Sequence, residues 1–248
     1  MYAHPLVLIH GYGVRGAFWN ALRAELTDSF DRIETPDMNI PDVNAGVAAV
    51  GDICRETRAG AAGPVTLVGH SLGGVLAALA ARDLDPDTVS HLVVIASPFG
   101  NHVGRAFGPI TRLRFALGLM GRSELRRRFF GRAVPEDVQN AVFATAADES
   151  SALKALGRQR RWFHTDAFPA GVPQRSLVIG SDADRIVHGE EVRGFATALD
   201  AEVTVFPRGE DVGHDDFAVF PPVAKRTAAL IRGFVHRGNT GFTGHGGV

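Results

Sequence analysis

Gly69-His70-Ser71-Leu72-Gly73 sets a serine between two glycines, each two residues away, after the apolar run Val65 to Val68 and before the small-residue run Val75 to Ala81. A strand that turns sharply into a helix at a serine lifts the hydroxyl out of the chain and aims the first helical N–H groups at the same space. A Cβ two residues before or after that serine would strike neighbouring backbone, so glycine is needed at both places. A serine held in this way is built to attack a carbonyl carbon while the main chain stabilises the charge on its oxygen. The pentapeptide alone is a weak signal in a chain with 29 glycines, and its place between a strand-like and a helix-like run gives it weight.

The elements that must position Ser71 follow from the rest of the chain. Short β-branched runs alternate with longer helix-like segments, which predicts an α/β fold with a mostly parallel sheet and helices on both faces. Strands are predicted at Leu6 to Ile9, Arg32 to Thr35, Val65 to Val68, His91 to Ala96, Ser176 to Ile179 and Glu202 to Phe206. Most of these are apolar almost throughout, as strands covered on both faces should be. Helices are predicted at Trp19 to Leu26, Asn44 to Ala59, Leu72 to Asp83, Gly189 to Leu199 and Val223 to His236.

Between Ala96 and Ser176 no convincing strand occurs, and the stretch is too long for a loop in a compact domain. Residues 100–168 therefore read as an inserted helical cap on a core made of residues 1–99 and 169–237. Pro109 and Pro135 are suitable helix starts, the latter followed by Glu136 and Asp137 in the first turn. This segment carries twelve Lys or Arg against six Asp or Glu, densest at Arg126-Arg127-Arg128 and Arg160-Arg161, so the cap is basic and the remainder acidic. Residues 238–248 are glycine-rich with few anchors and are expected to be a disordered tail.

Composition narrows the partners. The 248 residues suit one large α/β domain with a core deep enough for a pocket. A net charge of −1 gives no general reason to expect nucleic acid or a membrane surface. Cys54 is the only cysteine, which excludes an internal disulfide and a cysteine-based zinc site. No run approaches the ~18 apolar residues of a membrane span, and Met1 to Ile9 does not resemble a signal peptide, so cytoplasmic residence is expected. Neither G-x-G-x-x-G nor a P-loop is spelled out, and no cofactor or metal is expected.

A strand ending in His10-Gly11-Tyr12-Gly13, Trp19 a few residues on, Pro36-Asp37 after the next strand, and then Gly69-His70-Ser71-Leu72-Gly73-Gly74 together resemble the α/β-hydrolase family. The resemblance spans most of the chain, with residues 100–168 matching only in length and texture. It implies that Tyr12 and Leu72 supply the two backbone N–H groups of an oxyanion hole. It also implies a triad acid within Leu177 to Val187, where Asp184 takes the family's position and Asp182 is the competitor, otherwise a solvated turn residue. The histidine of the family lies in a Gly-His pair after the last strand, here Gly213-His214, while His10 is expected to support its own loop. Chain order Ser71, Asp184, His214 agrees with that family. Two departures stand out: the hairpin that commonly precedes the His-Gly strand is not seen, as in the hydroxynitrile-lyase and plant-methylesterase branch and some lipases, and Pro36 to Ile40 lacks the usual glycine-rich continuation.

The expected activity is hydrolysis of a carboxylic ester or thioester through an acyl-serine, with His214 as base and Asp184 fixing its tautomer. Phe115, Leu119, Phe129, Phe130 and Trp162 are candidates for the acyl pocket, and they also serve the core that any helical cap needs. The arginine excess suits an anionic or carrier-bound acyl group, or simply a solvated helix face. Two rivals are a carbon–carbon bond hydrolase or cofactor-free lyase using the same residues, and a non-catalytic receptor. The lyase branch normally has a hydroxylated residue where Gly11 stands.

Overall fold

The predicted apolar runs pair into one sheet of β1 (Leu6–Ile9), β2 (Ile33–Glu34), β3 (Val65–His70), β4 (Val89–Ile95), β5 (Arg175–Ser181) and β6 (Glu202–Phe206). The computed structural model describes residues 4–100, 119–146, 150, 167–168 and 171–239. Its strand order is β2-β1-β3-β4-β5-β6, with every neighbouring pair parallel. The helices are α1 (Asn20–Leu26), α2 (Val43–Ala59), α3 (Leu72–Arg82), α4 (Arg122–Phe129), α5 (Glu136–Ala144), α6 (Gly189–Leu199), α7 (Asp216–Val219) and α8 (Pro221–Asn239).

Alternation along each strand sends side chains to two separate cores. On one face Val7, Ile9, Leu67, Val94 and Val178 join residues of α2, α3 and α6. On the other Leu6, Leu8, Val68, Val93, Ile95 and Ile179 join residues of α1 and α8. Ten of the eleven residues of α3 are buried, so this helix is apolar on all sides and sits inside the domain. The order of strand addition reverses between β1 and β3, the place where a parallel sheet opens a crevice at its C-terminal edge. Pairing of Ile9 with Gly69, and of Ile95 with both His70 and Ile179, brings the loops that follow β1, β3, β4 and β5 to that one edge.

Strands β3 and β5 run two residues further than the sequence predicts, to His70 and Ser181, because their parallel neighbours continue the ladder to the sheet edge. Strand β2 is shorter, Ile33–Glu34, since only the two central residues of the predicted run pair with β1. The first helix enters through a 3-10 turn, Gly16–Trp19, where Gly16 N donates to Asp37 Oδ1 at 2.7 Å. Helix α8 begins at Pro221 rather than Val223, two prolines being tolerated in a first turn, and runs to Asn239, into the stretch expected as tail. Residues 240–248, Pro109, Phe115, Arg160, Arg161 and Trp162 lie outside the described residues. No helix among the described residues is long and apolar enough to cross a membrane.

Candidate active site

Ser71 stands alone between β3 and α3 with φ 53° and ψ −124°, a conformation that costs a non-glycine residue about 1–3 kcal/mol and survives only when its surroundings enforce it. The enforcement is visible. A Cβ on Gly69 would lie 2.4 Å from the Gly73 carbonyl oxygen, and one on Gly73 would lie 2.3 Å from the His10 carbonyl oxygen. Ser71 N donates to Ile95 O at 2.9 Å, fastening the turn to β4. Leu72 opens α3, where the first N–H groups have no acceptor within the helix. Because Gly73 faces backbone that cannot step aside, Gly73→Ala is expected to destabilise the protein by about 3 kcal/mol or more, read as a lowered denaturation midpoint with unchanged slope. A midpoint within error of the parent would contradict the packing argument.

His214 and Asp184 meet next to His70, the residue before Ser71. His214 Nδ1 lies 2.8 Å from Asp184 Oδ2, and both side chains are almost completely buried. The other oxygen, Asp184 Oδ1, accepts from Ile186 N at 2.7 Å and Val187 N at 3.1 Å, so the carboxylate cannot rotate away from the imidazole. Asp182 points elsewhere: its two oxygens accept from Arg193 at 3.0 and 3.2 Å, and that guanidinium holds its carboxyl below the usual range. Burial works against a charge on His214, yet the charge and hydrogen bond of Asp184, helped by Asp215 and Glu191, outweigh it and raise its pKa above the ordinary 6.5.

A base acts only when neutral, so kcat/KM should rise with pH along a limb lying above the ordinary imidazole value. Replacing Asp184 with Asn removes the main cause of the upward shift and should move that limb to lower pH. A pH–rate profile on parent and variant checks both signs, and a limb that stays in place would detach His214 from Asp184.

Two other histidines hold the framework. His10 Nε2 accepts from Met38 N at 2.9 Å while Nδ1 donates to Gly11 O at 2.9 Å, which ties the loop after β1 to the loop after β2. His10 thus supports its loop. His70 lies with its ring 4.7 Å from that of His214, and its Nε2 donates to the His214 carbonyl at 2.9 Å. Burial, then the neighbouring His214, push the His70 pKa well below 6.5 and keep it neutral. Tyr12 follows Gly11, whose absent Cβ would sit 3.0 Å from Ser71 Cβ, so the backbone of this loop abuts the serine.

The model of the alpha/beta hydrolase family matches residues 6–230. The chain belongs to that family. A pimeloyl-[acyl-carrier protein] methyl ester esterase of Aliivibrio fischeri is 35% identical over 94 residues, which make up 37% of this chain and 36% of that protein. The matched stretch therefore spans little more than a third of the curated relative. Among solved structures, a thermophilic esterase of Thermogutta terrifontis aligns with a TM-score of 0.72 at 22% identity, covering 94% of this chain and 90% of its own. A bromoperoxidase of Bacillus anthracis aligns with a TM-score of 0.73 at 18% identity, covering 92% and 91%. Likeness at such identities concerns the fold alone.

In this α/β hydrolase the described part of residues 100–168 is wired into the loop that carries His214. A Cβ on Gly213 would lie 2.4 Å from Gly131 N, and one on Gly131 would lie 2.0 Å from the Asp211 carbonyl oxygen, so two backbones cross in contact. Asp216 Oδ2 accepts from Gly213 N at 2.7 Å and Gly131 N at 3.1 Å, and Asp215 N donates to Phe129 O at 2.9 Å. Asp211 accepts from Arg132 N and Nε and from Arg185 Nη2, while Arg185 also donates to the carbonyls of Arg127 and Phe130. Residues 127–132 thus set the position of the loop that carries His214.

The pocket candidates divide. Phe129 is half-buried and meets His214 edge-on at 5.8 Å. Phe130 was expected in the pocket, but it is 2% exposed and packs against Phe143 at 5.9 Å, since the crossing at Gly131 turns it into the core. Leu119 is 61% exposed. Of the arginine run, Arg126 pairs with Glu136 at 2.7 Å and with Asn140, joining α4 to α5, and Arg128 reaches Glu124 at 3.5 Å.

Glu191 carries no signal in the sequence, whereas Asp215 and Asp216 stand out there only as neighbours of His214. Glu191 is buried and accepts from His188 N and Phe99 N, both at 3.3 Å, and burial pushes its pKa up to about 7. Burial likewise raises Asp215 to about 7 and Asp216 to about 6. His70, His214 and Asp215 bring ligand atoms within 4.8 Å of one another, the one such grouping among the described residues. One nitrogen of each ring there is already committed, His70 Nε2 to a carbonyl and His214 Nδ1 to Asp184.

Proposed function

We propose that this α/β hydrolase cleaves carboxylic esters, thioesters included, through an acyl-serine intermediate. Ser71 attacks the carbonyl carbon as His214 takes its proton, and the imidazolium then returns that proton to the leaving alcohol or thiol. Water, activated by the same base, attacks the acyl-serine and releases the acid. Asp184 keeps the imidazole in the tautomer with Nδ1 protonated, so that Nε2 can accept. The backbone N–H groups of Tyr12 and Leu72 stabilise the oxyanion, each worth on the order of a hundredfold or more in rate.

One observation carries this reading: a buried 2.8 Å contact between His214 and Asp184 at the sheet edge where Ser71 is held in its strained turn. Partial similarity to an esterase that acts on a methyl ester of a carrier-bound acyl group supports an ester as the bond and an anionic or carrier-bound acyl group as the substrate. The basic balance of residues 100–168, read as a cap over the cleft, points the same way. Gly11 argues against the lyase rival, because even a Cβ there would press against Ser71 and His70.

A fluorophosphonate probe should label the parent at Ser71, and a panel of p-nitrophenyl esters and acyl thioesters should be turned over while ketones are not. Absence of both labelling and turnover would favour the receptor reading, and cleavage of ketones alone would favour the carbon–carbon one.

A further inference from the structure

Beside the acid loop lies a cavity of about 420 Å³ whose wall includes Arg128, Arg132, Arg185 and Arg208 together with Asp184 and Asp211. Neither Ser71 nor His214 lines it. Its arginines come from the end of α4, the loop after it, the acid loop and the turn after β6, so four separate stretches of chain bring an arginine to one volume. Both carboxylates are already engaged. Asp184 accepts from Ile186 N, Val187 N and His214, and Asp211 accepts from Arg132 and Arg185. Arg208 is exposed and makes no salt bridge among the described residues.

Four arginines against the engaged carboxylates of Asp184 and Asp211, and against Glu124, which pairs with Arg128, leave a net positive charge at the cavity, and its concave shape concentrates that field. We propose that it is an anion site separate from the catalytic cleft, taking a phosphate group either free or at the end of a larger molecule. Guanidinium groups present paired N–H donors that match phosphate oxygens, and a volume of this size admits a small phosphate ester. The inference does not depend on Ser71 acting as a nucleophile, because binding can be measured without turnover.

The test is calorimetric titration of the full chain with inorganic phosphate, with sodium chloride at matched ionic strength as the reference. Phosphate should bind at a single site where chloride gives no comparable heat. Arg208→Gln, which breaks no ion pair among the described residues and so should fold, ought to weaken phosphate binding about tenfold, the scale of one charge-assisted hydrogen bond. Arg132→Gln should weaken it similarly, whereas Arg55→Gln, an exposed arginine on α2, should leave it intact. Equal response to phosphate and chloride, or unchanged binding in Arg208→Gln and Arg132→Gln together, would overturn the proposal. Hydrolysis of a neutral p-nitrophenyl ester and of one carrying a phosphate on its acyl chain, each with and without inorganic phosphate, separates the two sources. A rise in KM confined to the phosphate-bearing ester marks the site as the seat of a substrate's own phosphate, a change in kcat on both esters marks it as the seat of a free effector acting through the acid loop, and no effect on either ester overturns any link between the site and turnover.

Discussion

Ser71→Ala is expected to lower ester turnover by roughly a millionfold, as loss of a triad nucleophile does, while the protein stays folded. The elbow does not depend on the hydroxyl. Its φ of 53° is imposed by the missing side chains of Gly69 and Gly73 and by the bond from Ser71 N to Ile95 O, all of which alanine leaves in place. The variant should therefore keep the parent's melting temperature and lose labelling by a fluorophosphonate. Normal melting with substantial remaining turnover would show that another residue attacks the carbonyl.

Asp184→Asn should cost on the order of ten-thousandfold in kcat, against a small effect for Asp182→Asn. An asparagine at 184 can still accept from Ile186 N and Val187 N, so the loop survives, but an amide N–H turned toward His214 Nδ1 favours the wrong imidazole tautomer. Asp182 loses only its ion pair with Arg193, a half-exposed contact worth about 0–1 kcal/mol. Kinetics of the two variants on one ester decide the ranking. If Asp182→Asn were the more damaging, the acid assignment would have to move; if both effects were small, Asp215 and Glu191, buried near His214, would be the next carboxylates to replace.

Local pattern was enough for the frame of the molecule. Strands buried on both faces must be apolar in consecutive residues, and for that reason β1, β3, β4 and β5 were readable as short β-branched runs. The glycines around Ser71 were readable because no other residue fits a strand-to-helix turn so close to neighbouring backbone. Strand ends were less legible, since where a ladder stops depends on the partner strand; so β3 and β5 extend and β2 shortens.

The sequence by itself determined the sheet, the elbow and, through the family's pattern, Asp184 and His214 as candidates. It left Asp182 open, because two aspartates two residues apart in one loop differ only in what they face, and only the folded chain turns one toward His214 and the other toward Arg193. Phe129 and Phe130 are likewise adjacent and chemically identical, yet the Gly131–Gly213 crossing sends one to His214 and the other into the core. Arg185, Asp211 and Asp216, which fasten residues 127–132 to the histidine loop, are far apart in the chain or ordinary in type. Their roles arise from contacts between distant segments, and tertiary structure alone decides those.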